Sequence, residues 1–147
     1  MHRLIIRDMR ADDIPAVLEI EQISFSSPWS GEIFLNELYK KYSVLKVAEF
    51  EETVIGYLCA DYLHHESNIL DLAVHPDFRR RGVATRLTNE AAGELKEKGC
   101  VFMYLKVRVS NTGGQRFYER LGFKPEGVRK KYYENPDEDA LQMMGRL

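Results

Sequence analysis

A chain of 147 residues with 44% hydrophobic and 30% charged side chains is long enough to bury one sizeable core, which excludes a disordered or collagen-like product. Lysine and arginine number 21 against 23 acidic residues, so a net charge of −2 gives no global reason to bind nucleic acid, and any anion site must be built from local charge. No apolar run approaches the roughly 20 residues that span a bilayer, and Met1 to Arg10 lacks a signal-peptide core, so a single cytosolic domain over residues 1–147, with no membrane partner, is expected.

The chain opens with a short strand, Arg3 to Arg7, and Asp12 or Asp13 is placed to cap a helix whose Ile14, Val17, Leu18 and Glu21 follow helical spacing. The polar stretch from Ser24 to Ser30 interrupts it, Pro28 favours a break, and Ser30 is placed to cap a second helix with Ile33, Phe34 and Leu38. Val44 to Phe50 and Val54 to Leu63 are rich in β-formers and read as a hairpin about Glu51-Glu52-Thr53. Cys59, with Cys100 further on, sits in apolar surroundings and reads as a buried thiol, not as a disulfide or nucleophile. His64-His65-Glu66 reads as a polar loop, because adjacent histidines on extended chain point apart and no matching ligand cluster accompanies them; no metal is expected.

Ile69 to Val74 is apolar except for Asp71, as a central strand covered on both faces would be. From Gly82 to about Lys98, the residues Ala84, Leu87, Ala91 and Leu95 make one apolar helical stripe that Gly99 stops. Phe102 to Val109 alternates as a strand, with Tyr104, Lys106 and Arg108 on one face. Ser110 or Asn111 is placed to cap a last helix carrying Gly114, Phe117, Tyr118 and Leu121, which Gly122 ends. The tail reads as two strands around a turn near Asn135-Pro136-Asp137. The class is α/β, with a mixed sheet and helices on both faces.

Arg79-Arg80-Arg81-Gly82-Val83-Ala84 lies between an apolar strand and an amphipathic helix. A helix start offers unpaired N–H groups and the positive end of a dipole, small residues allow close approach, and arginine adds charge, all of which suits a pyrophosphate. A solvated basic turn is the alternative. The loop has neither the G-x-x-x-x-G-K-[S/T] of a phosphate-binding NTPase loop nor the G-x-G-x-x-G of a dinucleotide fold.

The run Leu72-Ala73-Val74-His75-Pro76 followed by R-x-x-G-x-A at 79–84 resembles the cofactor motif of the GCN5-related N-acetyltransferases (GNAT). Val107-Arg108-Val109-Ser110-Asn111 and Phe117 to Phe123 resemble that family's second half. Phe25 to Ser30, Tyr132-Tyr133 and Glu138 to Leu141 are most similar to its RimI-type ribosomal-protein-alanine N-acetyltransferases and their archaeal N-terminal acetyltransferase relatives. The resemblance implies a mostly antiparallel mixed sheet that splays beside Leu72, Ala73 and Val74, whose free main-chain groups take the pantetheine of acetyl-CoA. It places the pyrophosphate on Arg79, Arg80, Arg81, Gly82, Val83, Ala84 and Thr85, and adds a contact from Asn111. It also maps Phe25, Pro28, Trp29 and Tyr132 to a wall admitting a peptide N-terminus, that of a ribosomal protein, and Tyr118 to the acid that protonates the leaving thiolate.

Two positions depart from that pattern. Lys106 stands where RimI-like enzymes carry glutamate, and an ordinary lysine with a pKa of about 10.4 cannot accept a proton at pH 7. The base is then a water chain, a lysine depressed by burial, or another carboxylate, Asp71 or Glu21. A weakened base favours an α-amine, whose deprotonation at pH 7 costs about 1 kcal/mol, over a lysine ε-amine at about 4.6 kcal/mol. Gly114 stands where alanine is usual. Acetylation of a small amine and non-catalytic binding of acetyl-CoA are the rival functions left open by sequence.

Overall fold

The computed structural model describes residues 3–147; Met1 and His2, the start of the stretch read above for a leader, lie outside the described residues. In chain order the elements are β1 (Leu4–Asp8), α1 (Ile14–Ser24), α2 (Gly31–Leu38), β2 (Ser43–Phe50), β3 (Thr53–Leu63), β4 (Glu66–Val74), α3 (Val83–Glu97), β5 (Phe102–Arg108), α4 (Thr112–Arg120), β6 (Lys124–Tyr133) and β7 (Glu138–Arg146). The strands form one seven-stranded sheet in the order β1-β2-β3-β4-β5-β7-β6. Every pairing is antiparallel except that of β4 with β5. This is the α/β architecture the sequence predicts.

Alternation along the strands feeds two cores. Val44, Ala48, Ile55, Leu58 and Ala60 join Leu87, Ala91 and Leu95 of α3 on one face. Leu45, Val47, Tyr57, Cys59 and Ala73 join Val17 and Ile20 of α1 and Phe34 of α2 on the other. Both cysteines are buried free thiols, and burial pushes the Cys59 thiol well above its ordinary range.

Four expectations are corrected. Asp13 stands at the N-cap position of α1 but caps nothing there. Its carboxylate accepts from both terminal nitrogens of Arg7 at 2.8 Å and from the Arg10 N–H at 2.7 Å. Arg7 outcompetes the helix N–H groups because a bidentate charged pair is the stronger bond. The first strand runs one residue later than Arg3 to Arg7, over Leu4–Asp8. β4 begins at Glu66, three residues before the apolar run, because the polar Glu66, Ser67 and Asn68 are the residues that pair with β5. The strand is also not covered throughout: Leu70 is exposed.

A candidate acetyl-donor and amine site

The parallel pairing of β4 with β5 lasts only from Glu66↔Phe102 to Asn68↔Tyr104. Beyond Asn68 the strands part, while β4 stays paired with β3 as far as Gly56↔Val74. His75 N–H donates to Ile55 on the β3 side. Main-chain groups alternate in direction along a strand, so those of Val74 and Leu72 face the parted side. The Val74 carbonyl there accepts from Arg79 Nε at 3.0 Å. The seam thus presents free peptide groups that an amide-bearing arm can pair with, as a strand would.

At the foot of the seam the chain turns through Pro76–Phe78 and Arg79 into α3. Gly82 holds φ +79°, a left-handed conformation that glycine adopts without Cβ strain, and no side chain caps the helix. The N–H groups opening α3 are therefore free for an anion. Arg81 packs over the Phe78 ring and Arg79 is tied to the Val74 carbonyl, whereas among the described residues no hydrogen bond or ion pair holds Arg80. Its own φ of +63° turns the loop.

Across the seam, Asn111 caps α4: its Oδ1 accepts from Gly114 N–H at 2.9 Å, leaving Nδ2 as a donor. A β-carbon at position 114 would lie 2.6 Å from that Nδ2, so glycine there makes room for the cap. Tyr118, two turns along, packs edge-on against Phe117 and Phe123. Burial first, then the nearby Asp71 and Tyr133, raise its pKa above the ordinary 10, which keeps the hydroxyl protonated.

On the α1 face, the loop between α1 and α2 meets the turn between β6 and β7 where Ser27 Oγ donates to the Glu134 carbonyl. Phe25 and Tyr132 are 40% and 53% exposed, and Pro28 is exposed beside them. Trp29 differs from this expected wall: it is half-buried, stacked 5.1 Å from Phe34, with its N–H held by Glu21. Arg108 fixes the β6–β7 turn from below, donating to Glu134 and Pro136 carbonyls at 2.8 Å and pairing with Glu138, which accepts from Ser110 N–H. That brace went unread in the sequence, since its parts are about 30 positions apart.

Lys106 extends over the Tyr132 ring at 5.4 Å. Beneath the wall lie two carboxyl groups. Glu21 is 2% exposed and accepts from Tyr57 Oη at 2.5 Å and from Trp29 N–H at 2.9 Å. Asp71, 8% exposed, lies beside Glu21, and its Oδ2 is buried without a donor. Burial first, then the neighbouring Glu21, push the Asp71 pKa up to about 10, so this carboxyl is protonated at neutral pH.

The model of the acetyltransferase (GNAT) family matches residues 14–123, and the chain belongs to that family. It is similar to ribosomal protein bS18-alanine N-acetyltransferases from Haemophilus ducreyi, at 35% identity over 125 residues covering 85% of this chain and 86% of that one, and from Salmonella typhimurium, at 33% over 133 residues covering 89% of each. The crystal structure of the ribosomal-protein-S18-alanine N-acetyltransferase from Escherichia coli superposes with a TM-score of 0.90 at 27% identity, over 98% of this chain and 94% of that one. The expected family and fold are thereby borne out. The chain is an N-acetyltransferase.

Proposed function

We propose that residues 1–147 act as one acetyltransferase domain that moves the acetyl group of acetyl-CoA to the N-terminal α-amine of a protein, a ribosomal protein in the cytosol. The observation that carries this is the parted β4–β5 seam running into the uncapped start of α3, a receptor for pantetheine followed by one for pyrophosphate. The names of the relatives supply the substrate class.

In this reading Leu72, Ala73 and Val74 align the pantetheine, and residues 79–85 hold the phosphates with help from Asn111. Phe25, Pro28 and Tyr132 line the peptide entrance, and Trp29 anchors it from behind. The Val74 N–H stabilises the oxyanion formed when the neutral amine attacks the thioester, and Tyr118 protonates the departing thiolate.

Incubation with acetyl-CoA and a panel of peptides, polyamines and aminoglycosides tests the proposal. Acetylation of peptide α-amines is expected; turnover on small amines alone rejects it. The seam gives no reason to prefer a small amine, whereas the exposed Phe25, Pro28 and Tyr132 beside the Ser27–Glu134 contact favour a peptide.

A further inference from the structure

Glu21 and Asp71 are both buried, and among the described residues no basic side chain forms an ion pair with either. Both Glu21 oxygens have donors, Tyr57 Oη and the Trp29 main-chain N–H. Asp71 Oδ2 has none, as expected of an oxygen that carries the shared proton itself. The pair also sits at the reacting end of the seam. Asp71 directly precedes Leu72, lies on the α1 face below the peptide wall, and is close enough to Tyr118 for its charge to be felt there.

Resting on the proposed function, we infer that the Glu21–Asp71 pair is the proton acceptor for the substrate amine, in place of the glutamate whose position Lys106 occupies. As the C–N bond forms and the C–S bond breaks, the proton leaving nitrogen passes to Asp71. The proton that Asp71 already holds moves to Glu21, and the Tyr118 proton goes to sulfur; solvent resets the three groups. A protonated Asp71 is thus no obstacle, because the pair accepts as a unit.

The groups facing Asp71 make the arrangement self-consistent: Glu21 on α1, Tyr57 and Cys59 on β3, and Tyr118 on α4. Of these, Tyr57 and Cys59 are held protonated by burial, so the proton movements fall to the pair and Tyr118.

The test uses the full chain, acetyl-CoA and a peptide beginning with alanine, with kcat and KM measured from pH 6 to 9 for wild type, Asp71→Asn, Glu21→Gln and the double variant. Each single variant is expected to lose kcat by about 10²-fold, with the peptide KM and the calorimetric acetyl-CoA affinity within about twofold, and the double variant to be little worse than either. A merely structural pair would move KM and affinity together and give additive losses. Wild-type kcat in Asp71→Asn across this pH range overturns the inference.

Should the variants not fold, a crystal structure of wild type with coenzyme A joined to an alanyl peptide decides. Its amide nitrogen within about 3.2 Å of the Asp71 carboxyl, or one water away, supports the role, and a larger separation refutes it. Wild-type protein that binds acetyl-CoA yet acetylates no peptide sinks the proposed function itself, and this inference with it.

Discussion

In the proposed reaction Tyr118 serves packing and chemistry together. Its ring fills the contact between Phe117 and Phe123, so Tyr118→Phe keeps that contact and removes only the hydroxyl. We expect kcat to fall by about 10²–10⁴-fold with acetyl-CoA affinity unchanged, read by thiol release and calorimetry. Because burial holds the hydroxyl above its ordinary pKa of 10, wild-type kcat/KM should climb from pH 6 to 8 as the amine loses its proton. It should then stay level to about pH 9, and a fall between pH 8 and 9 would contradict the assignment.

Asp71 makes the opposite bargain. Its folded pKa near 10 lies above the ordinary 3.8, so between those values the folded state binds more protons than the unfolded chain and stability falls as pH rises. Asp71→Asn removes that penalty and supplies Glu21 with a donor. A gain of roughly 2–4 kcal/mol at pH 7, shrinking toward pH 4, is expected from urea unfolding. A variant both more stable and slower is the signature of a group kept for function.

At the scale of elements, α4 sets two local preferences against each other. Alanine at 114 would improve helix propensity by up to about 1 kcal/mol, yet its β-carbon displaces the Asn111 cap, worth about the same. Gly114→Ala should therefore leave the melting temperature within a few degrees while weakening acetyl-CoA binding severalfold, as the Asn111 amide is turned away; unchanged affinity would argue that Asn111 does not touch the cofactor. The same scale shows what is readable from sequence. Richness in β-formers reveals β2 and β3, alternation reveals β5, and Ser30 and Asn111, the latter offered alongside Ser110, announce their helices, because each signal is local. The parting of β4 from β5 is not local: it enters only through the family motif, since nothing in the period of Ile69 to Val74 says where pairing stops. The meeting of Glu21 with Asp71 is equally hidden. Each shows as an acid on an apolar face, but α1 and β4 must pack before the two become a pair.

In the proposed reaction the two substrates approach different faces of one sheet, the donor by the seam toward α3 and the acceptor from the α1 side. Binding to the folded chain alone must raise its stability, by about 2.7 kcal/mol at a hundredfold excess over Kd. Acetyl-CoA should accordingly raise the melting temperature by about 5–10 °C, and Gly82→Val, which imposes a strained φ and crowds the phosphates, should abolish most of that shift. A shift that survives in Gly82→Val would move the phosphate site elsewhere.

The gap after Asn68 has a further consequence for how such a chain tolerates evolutionary change. A receptor made of peptide groups asks only that the backbone keep its course, so Leu72 and Val74 are free to become other β-formers without loss of grip. Divergence can rewrite most side chains around the donor channel while the channel itself persists, and selection is left to work on the acceptor side, where Lys106, Glu21 and Asp71 differ from their surroundings by charge.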